Sequence, residues 1–144
     1  MRPAFAIPDF INIQVTVIPV PEGKGNAGDH RQYQVTCVPA SISVIHTDTI
    51  INYQIIPETP ENIVFHGMSK KKPYLAPQFS HPSISVDRKM ITFSDKNSVV
   101  EQIHVTLEFK DKDEASIHYD HPMNINFDPQ VGNDPDLQGD NTTR

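Results

Sequence analysis

The chain is poor in the residues that stabilise small secreted proteins and membrane proteins. Its 144 residues include one cysteine, Cys37, and no tryptophan. A single cysteine excludes an internal disulfide and is typical of a reducing compartment. Pro3, Pro8 and Asp9 interrupt the apolar residues near the N-terminus, which argues against a signal peptide. Since no apolar run approaches the ~20 residues of a membrane span, we expect a cytoplasmic protein without a membrane partner.

An excess of positive charge is also missing. The formal net charge is −6 at neutral pH, which argues against nucleic acid as a partner. The length is that of one domain, and a domain of this size buries enough surface to fold without a metal or a disulfide. The composition therefore predicts one globular domain whose main partner is neither nucleic acid nor membrane.

The clearest pattern in the chain is the alternation between Ser98 and Lys110. Apolar and polar residues alternate over this window, which indicates a strand with one buried face. We expect it to be the central strand of the sheet. The outward face carries Gln102, His104, Thr106, Glu108 and Lys110, and the inward face carries Val99, Ile103, Val105, Leu107 and Phe109.

The rest of the chain also has the pattern of an all-β protein. About eight short alternating segments are separated by turn signals, and no window has helical periodicity with caps. We predict an antiparallel two-sheet sandwich, immunoglobulin-like, with a partly open barrel as the alternative. We place the sandwich domain at residues 1–127. Residues 128–144 lose the periodicity and are rich in Asp, so we expect an acidic extended tail.

Two motifs are candidate binding sites. Gly23, Gly25 and Gly28 form G-x-G-x-x-G, but a strand pattern follows them, and a dinucleotide site needs a helix there. We therefore interpret the segment as a hairpin loop.

The second motif is a potential metal site. If a hairpin pairs Phe109 with Ile117, Glu108 lies opposite His118, and the outer face gathers nitrogen and oxygen ligands. The alternative is a solvated polar face with one ion pair. The candidate metal ligands are His104, Glu108, His118 and Asp120.

No pattern predicts catalysis or a cofactor. Cys37 shares the inward parity of Tyr33 and Val35, so we expect an inert, buried thiol. No local arrangement of Ser, His and Asp has the spacing of a nucleophile motif. We therefore predict a protein that is not an enzyme and carries no cofactor.

Part of the sequence resembles a known family. Three segments carry the resemblance: residues 90–113, Asn126-Phe127-Asp128-Pro129 and Asn133-Asp134-Pro135. They are similar to the DP-EP family, which is named for acidic-proline dipeptides near the C-terminus. Here the second dipeptide is Asp-Pro in place of Glu-Pro. The resemblance implies a compact bacterial β domain and supplies no catalytic residues.

Two functions remain open from the sequence. The first is a non-enzymatic module for protein–protein interaction or self-association, with pairing through an edge strand. The second is a small-ligand, carbohydrate or metal-binding module, for which sugar stacking would depend on the tyrosines and phenylalanines. The tyrosines are Tyr33, Tyr53, Tyr74 and Tyr119.

Overall fold

A computed structural model describes residues 9–70, 78–113 and 125–135. In these ranges the chain forms ten β-strands. They are β1 (Phe10–Pro19), β2 (Tyr33–Val38), β3 (Ser41–Val44), β4 (Thr49–Ile55), β5 (Ile63–Lys70), β6 (Ser83–Ile84), β7 (Met90–Asp95), β8 (Glu101–Asp111), β9 (Ile125–Phe127) and β10 (Gln130–Asn133).

The strands form two sheets whose inner faces make one core. The first sheet has the order β2-β1-β4-β7-β6, and the second has the order β3-β10-β8-β5, with β9 paired to β8. The predicted all-β sandwich is confirmed. The purely antiparallel pairing is wrong, because β1 runs parallel to β4 and β10 runs parallel to β3. The immunoglobulin-like arrangement stays a prediction.

Strand β8 is central to the second sheet, as its alternation predicts. Ile103, Val105, Leu107 and Phe109 are buried, since each inward residue packs on the facing sheet. Val99 is only half-buried, because the strand begins at Glu101. The predicted inner face is therefore correct from Ile103 onward and wrong at its first position.

The second sheet continues beyond the predicted domain boundary. Strand β10 lies between β3 and β8, with Val131 paired to Ile42 on one side and to Ile103 on the other. Residues that we expected in an acidic tail thus form an interior strand of the sheet. The sequence missed it because four residues that include Gly132 give too short an alternation. Residues 136–144 lie outside the described ranges.

The glycine-rich segment is a loop that covers the free edge of β2. The Asn26 side chain donates to the Val35 carbonyl at 2.9 Å and accepts from the Val35 N–H at 2.8 Å. A Cβ on Gly25 would lie 2.0 Å from the Tyr33 carbonyl oxygen, so only glycine fits there. Gly28 has a φ of 92°, a conformation that glycine adopts readily. The glycines therefore shape an edge cap, in agreement with the hairpin-loop interpretation.

The part of the chain that the structure describes includes no helix long and apolar enough to cross a membrane.

Candidate functional site

The predicted metal ligands on β8 do not meet. His104 is exposed and Glu108 is half-buried, both on the outer face of the second sheet. Because they lie four residues apart along the strand, their Cα atoms are about 13 Å apart, which is too far for one ion to bind both side chains. His118 and Asp120 lie outside the described residues. Within the described ranges, no group of three or more His, Cys, Asp or Glu residues could hold a metal.

The strand pairing assumed for that metal site also differs. Phe109 pairs with Phe65 of β5 on one side and with Ile125 of β9 on the other. Both positions beside Phe109 in the sheet are therefore occupied by described residues, and Ile117 lies outside the described ranges. Asn126 of β9 lies opposite Glu108, where the hairpin hypothesis placed His118.

The described tyrosines are part of the core. Tyr33 is 7% exposed and Tyr53 is 1% exposed, and the ring of Tyr53 stacks on Phe93. Neither ring can stack on a sugar at the surface. Tyr74 and Tyr119 lie outside the described residues.

Cys37 is buried, as its parity predicts. Burial raises the pKa of its thiol to about 12. Because the thiolate is the reactive form, this cysteine is unreactive at neutral pH in the folded protein.

A basic groove of about 440 Å³ lies where the β6–β7 turn meets β5. Lys89 Nζ donates to the carbonyls of Glu61 and Ile63 at 2.8 and 2.7 Å, and Arg88 Nε donates to that of Phe65 at 2.8 Å. Burial, and then the charge of Lys112, lower the pKa of Lys89. Since these two cations bind backbone carbonyls, they fasten the turn to β5. The groove is lined by Glu61, Val64, Val86, Asp87, Arg88, Lys89, Lys110 and Lys112.

The outer face of the first sheet is unusual because it has no charged side chain. The whole chain is 21% charged, and an exposed sheet face is where charged residues are expected. We call this surface the neutral face. It consists of Phe10, Asn12, Gln14, Thr16 and Ile18 on β1, Gln34, Thr36 and Val38 on β2, Ile50, Asn52 and Gln54 on β4, Ser83 on β6, and Met90, Thr92 and Ser94 on β7.

A row of hydrogen-bonded side chains crosses the middle of the neutral face. Thr92 Oγ1 donates to Asn52 Oδ1 at 2.6 Å, and Asn52 Nδ2 donates to Asn12 Oδ1 at 2.8 Å. The row connects β7, β4 and β1 through residues that the strand register places side by side. Asn52 is only 5% exposed, although it points away from the core. These bonds fix the side chains before any partner arrives, which lowers the entropic cost of binding.

Apolar side chains lie around this row. Phe10 is 57% exposed and Val38 is 59% exposed, with Ile18 and Met90 at 37% each. Exposed apolar groups beside neutral polar groups, without charge, are typical of the centre of a protein–protein interface. The neutral face is thus a partly apolar surface without an ionisable side chain.

The neutral face was not predicted from the sequence, because the predictions concerned inward residues. Its signal was present: the even-numbered residues from Phe10 to Ile18 include no charged residue. The same holds for Gln34, Thr36 and Val38. What the sequence lacked was the strand order that places these uncharged rows side by side.

Comparison with known proteins agrees with the resemblance in the C-terminal segments and extends it. No curated protein matches the sequence. The model of the DP-EP family matches residues 10–135. This span includes both sheets, from the first residue of β1 to the residues after β10, and not only the segments that carry the acidic-proline dipeptides. The chain therefore belongs to the DP-EP family.

Proposed function

We propose that this protein is a non-enzymatic β-sandwich that self-associates by packing its neutral face on the same face of a second copy. The observation that carries the proposal is the absence of charge from the outer residues of the first sheet. Charged residues are depleted at the centres of interfaces because their desolvation is costly.

Charge does not exclude a second copy as the occupant, because the neutral face itself carries none. Each chain carries a formal net charge of −6, so two copies repel each other over most of their surfaces. The neutral face is a region where they approach without contact between like charges. Its Asn, Gln and Thr side chains both donate and accept hydrogen bonds, so the face can complement itself across a two-fold axis.

The size of the face sets the expected strength. Four strands about 4.8 Å apart, with six residues each rising about 3.4 Å, cover a flat area of about 400 Å². Two such faces give about 800 Å² of flat area, which lies below the roughly 1,200 Å² of stable specific interfaces and within the range of weak, transient ones. We therefore expect a reversible dimer with a dissociation constant in the micromolar range, roughly 10⁻⁶ to 10⁻⁴ M.

The edge strand β2 is a poorer route to self-association. Asn26 already occupies the N–H and the carbonyl of Val35, which a second strand would need. The proposal therefore replaces the edge contact expected from the sequence with a face contact. A cytoplasmic setting belongs to the same proposal and is supported by the single thiol of Cys37, whereas a bacterial origin is proposed from the family resemblance alone.

The test is the oligomeric state as a function of concentration. Sedimentation equilibrium of the full chain is expected to show a monomer–dimer equilibrium. Gln14→Lys places a cation on an exposed position of the neutral face, so the dimer would hold one in each copy. Because like charges at an interface are repulsive, we expect the dimer to weaken by tenfold or more, on the order of 1–2 kcal/mol.

The matched control is Gln130→Lys, which makes the same change on the exposed outer face of the second sheet. It is expected to leave the equilibrium unchanged. A wild-type chain that stays monomeric at high concentration contradicts the proposal. Equal weakening by both variants would show that net charge, and not this face, governs association.

A further inference from the structure

We infer that the end of the sandwich beside β10 contains a buried site for a hard divalent cation, with calcium as the preferred ion. The ligands are oxygen atoms of Asp95, Asn97 and Asn133. This inference is independent of self-association, since these residues point into the protein and are absent from the neutral face.

Hydrogen bonds link Asp95 to the backbone of Asn97 and to the side chain of Asn133. Asp95 Oδ1 accepts from the Asn97 backbone N–H at 3.0 Å and from Asn133 Nδ2 at 3.1 Å. Asn133 Nδ2 also donates to Gln78 Oε1 at 3.1 Å, and Asn97 Nδ2 donates to the His46 carbonyl at 3.3 Å. The network is buried: Asp95 and Asn97 are 0% exposed and Asn133 is 3% exposed.

After these bonds are made, acceptor oxygen atoms remain without a hydrogen-bond partner, whereas no donor does. Asp95 Oδ2, Asn97 Oδ1 and Asn133 Oδ1 are buried and have no hydrogen-bond partner in the part of the chain that the structure describes. If the Asn133 amide were flipped, its oxygen would face the acceptor oxygens of Asp95 and Gln78 and could bond to neither. The orientation of this amide is thus fixed, and its free atom is an acceptor. Buried acceptors without a partner are costly, and a bound cation satisfies several of them together.

The local charge also favours a cation. The carboxyl group of Asp95 is fully buried at the end of β7. No ion pair to this carboxylate forms within the described residues. A buried, ionised carboxylate is stable when a counter-charge reaches it, and a divalent cation supplies one.

A surface groove lies beside Asn133. The groove has a volume of about 410 Å³, and Glu101 lies directly across from Asn133 in the sheet. Its lining includes two acidic residues and no basic one, which favours the entry of cations. The lining residues are Ser43, Val100, Glu101, Gln102, Gly132, Asn133 and Asp134.

The donor set selects calcium over other ions. All three ligand atoms are oxygens, which hard cations prefer over soft ones. Calcium accepts carboxylate, amide and water oxygens in irregular geometry, whereas magnesium requires a near-octahedral arrangement. Since only one ligand is charged, we expect weak binding, with a dissociation constant on the order of 10⁻⁴ to 10⁻³ M.

The first experiment is a calcium titration of the full chain at neutral pH after treatment with a chelator, by calorimetry and by thermal unfolding. Millimolar calcium is expected to raise the Tm, because the ion binds the folded state alone. Magnesium is expected to give a much smaller rise. An absence of binding heat and of any Tm change, or an equal rise with magnesium, would overturn the site.

Two variants identify the ligands. Asp95→Asn is expected to weaken calcium binding by about tenfold or more, since it removes the charged ligand. Asp48→Asn is the matched control: it removes the same charge from an exposed residue whose N–H donates to the Lys96 carbonyl, next to the site. It is expected to bind calcium like the wild type. Equal loss in both variants would overturn the assignment.

The third variant, Asn97→Asp, distinguishes a cation site from a purely structural network. Asn97 has a φ of 52°, which aspartate also tolerates, and the change adds a second buried carboxylate. Without calcium this variant is expected to unfold at a lower temperature than the wild type. Calcium is expected to raise its Tm by more than it raises that of the wild type. A loss that calcium does not restore would contradict the cation site.

Discussion

The outer faces of the two sheets differ in their chemistry although both cover the same core. The neutral face of the first sheet has no ionisable side chain, and its central residues are fixed by hydrogen bonds to one another. The outer face of the second sheet carries His104, Glu108 and Lys110 on β8 alone. The second face is an ordinary solvated surface, whereas the first carries no charge that would have to be desolvated at an interface. This difference is the basis of the proposed self-association.

The edges of the sheets differ as well. In the first sheet, β2 is covered by the glycine-rich loop through Asn26 and Ala27. In the second sheet, the edge strand β3 is only four residues long and has exposed serines, Ser41 and Ser43. A long edge needs a cap and a short one does not, because the number of unpaired N–H and carbonyl groups grows with the strand.

The largest expected effect concerns Cys37, which lies on the capped strand β2. With a pKa of about 12 against about 8.5 for an ordinary thiol, its thiolate population at neutral pH falls by roughly 3 × 10³-fold. We expect alkylation to be slower by that factor in the folded chain than in urea, measured by mass spectrometry. Fast reaction of the folded chain would show that the cap does not keep β2 closed.

The stability of the folded protein also depends on pH through Cys37. The folded-state pKa of Cys37 lies above the unfolded value. Its contribution to stability is therefore fully present below the ordinary thiol pKa of about 8.5, and it is lost as the pH rises through about 12. At alkaline pH, Cys37→Ser is expected to lose less stability than the wild type.

The second prediction compares a glycine of the loop that covers β2 with a glycine of β10. Gly25→Ala brings a Cβ to 2.0 Å from a backbone oxygen, so the loop must move and uncover β2. We expect a loss of about 3 kcal/mol or more in urea unfolding, together with aggregation. Gly132→Ala meets only the end of the Gln102 side chain, at 3.1 Å, which can move aside. For that variant we expect the free energy of unfolding to change by about 0.5 kcal/mol or less. Similar losses in both variants would contradict the role of the loop in covering β2.

The third prediction tests the polar row. Asn52→Asp removes the donor to Asn12 and buries a charge between neutral side chains. We expect a loss of about 2–3 kcal/mol in the free energy of unfolding. Asn126→Asp is the matched change on the second sheet, at an exposed position opposite Glu108. Its cost is expected to stay below about 1 kcal/mol. Equal costs would mean that the two faces do not differ as described.

The smallest effect is expected on the outer face of the second sheet. His104 is exposed and its neighbour across the sheet is Gln130. We expect His104→Ala to change the free energy of unfolding by about 0.5 kcal/mol or less, since surface positions contribute little. Denaturant unfolding measures it, and a loss above 1–2 kcal/mol, about the size of a buried hydrogen bond, would show a structural role for this face.

How much the sequence could predict varies along the chain. In β8 the alternation from Ile103 to Phe109 was long enough to give the correct inner face. In β10 it was not, because four residues give too few alternations to rise above chance. For Asp95 the pattern was informative: it continues the inward parity of Ile91 and Phe93, which predicts a buried carboxyl group. Asn133 had none, because β10 itself was not recognised.

The sequence alone determined the all-β class, the loop nature of the glycine-rich segment, and the inward residues of the long strands, since these depend on local alternation and turn chemistry. Only the tertiary structure decided which strands are neighbours. The parallel pairing of β1 with β4 joins Asn12 to Asn52, forty residues away, and β10 brings Asn133 to Asp95. Both the neutral face and the proposed cation site arise from such distant contacts. A one-dimensional pattern records which way a side chain points, but not which strand comes to lie beside it.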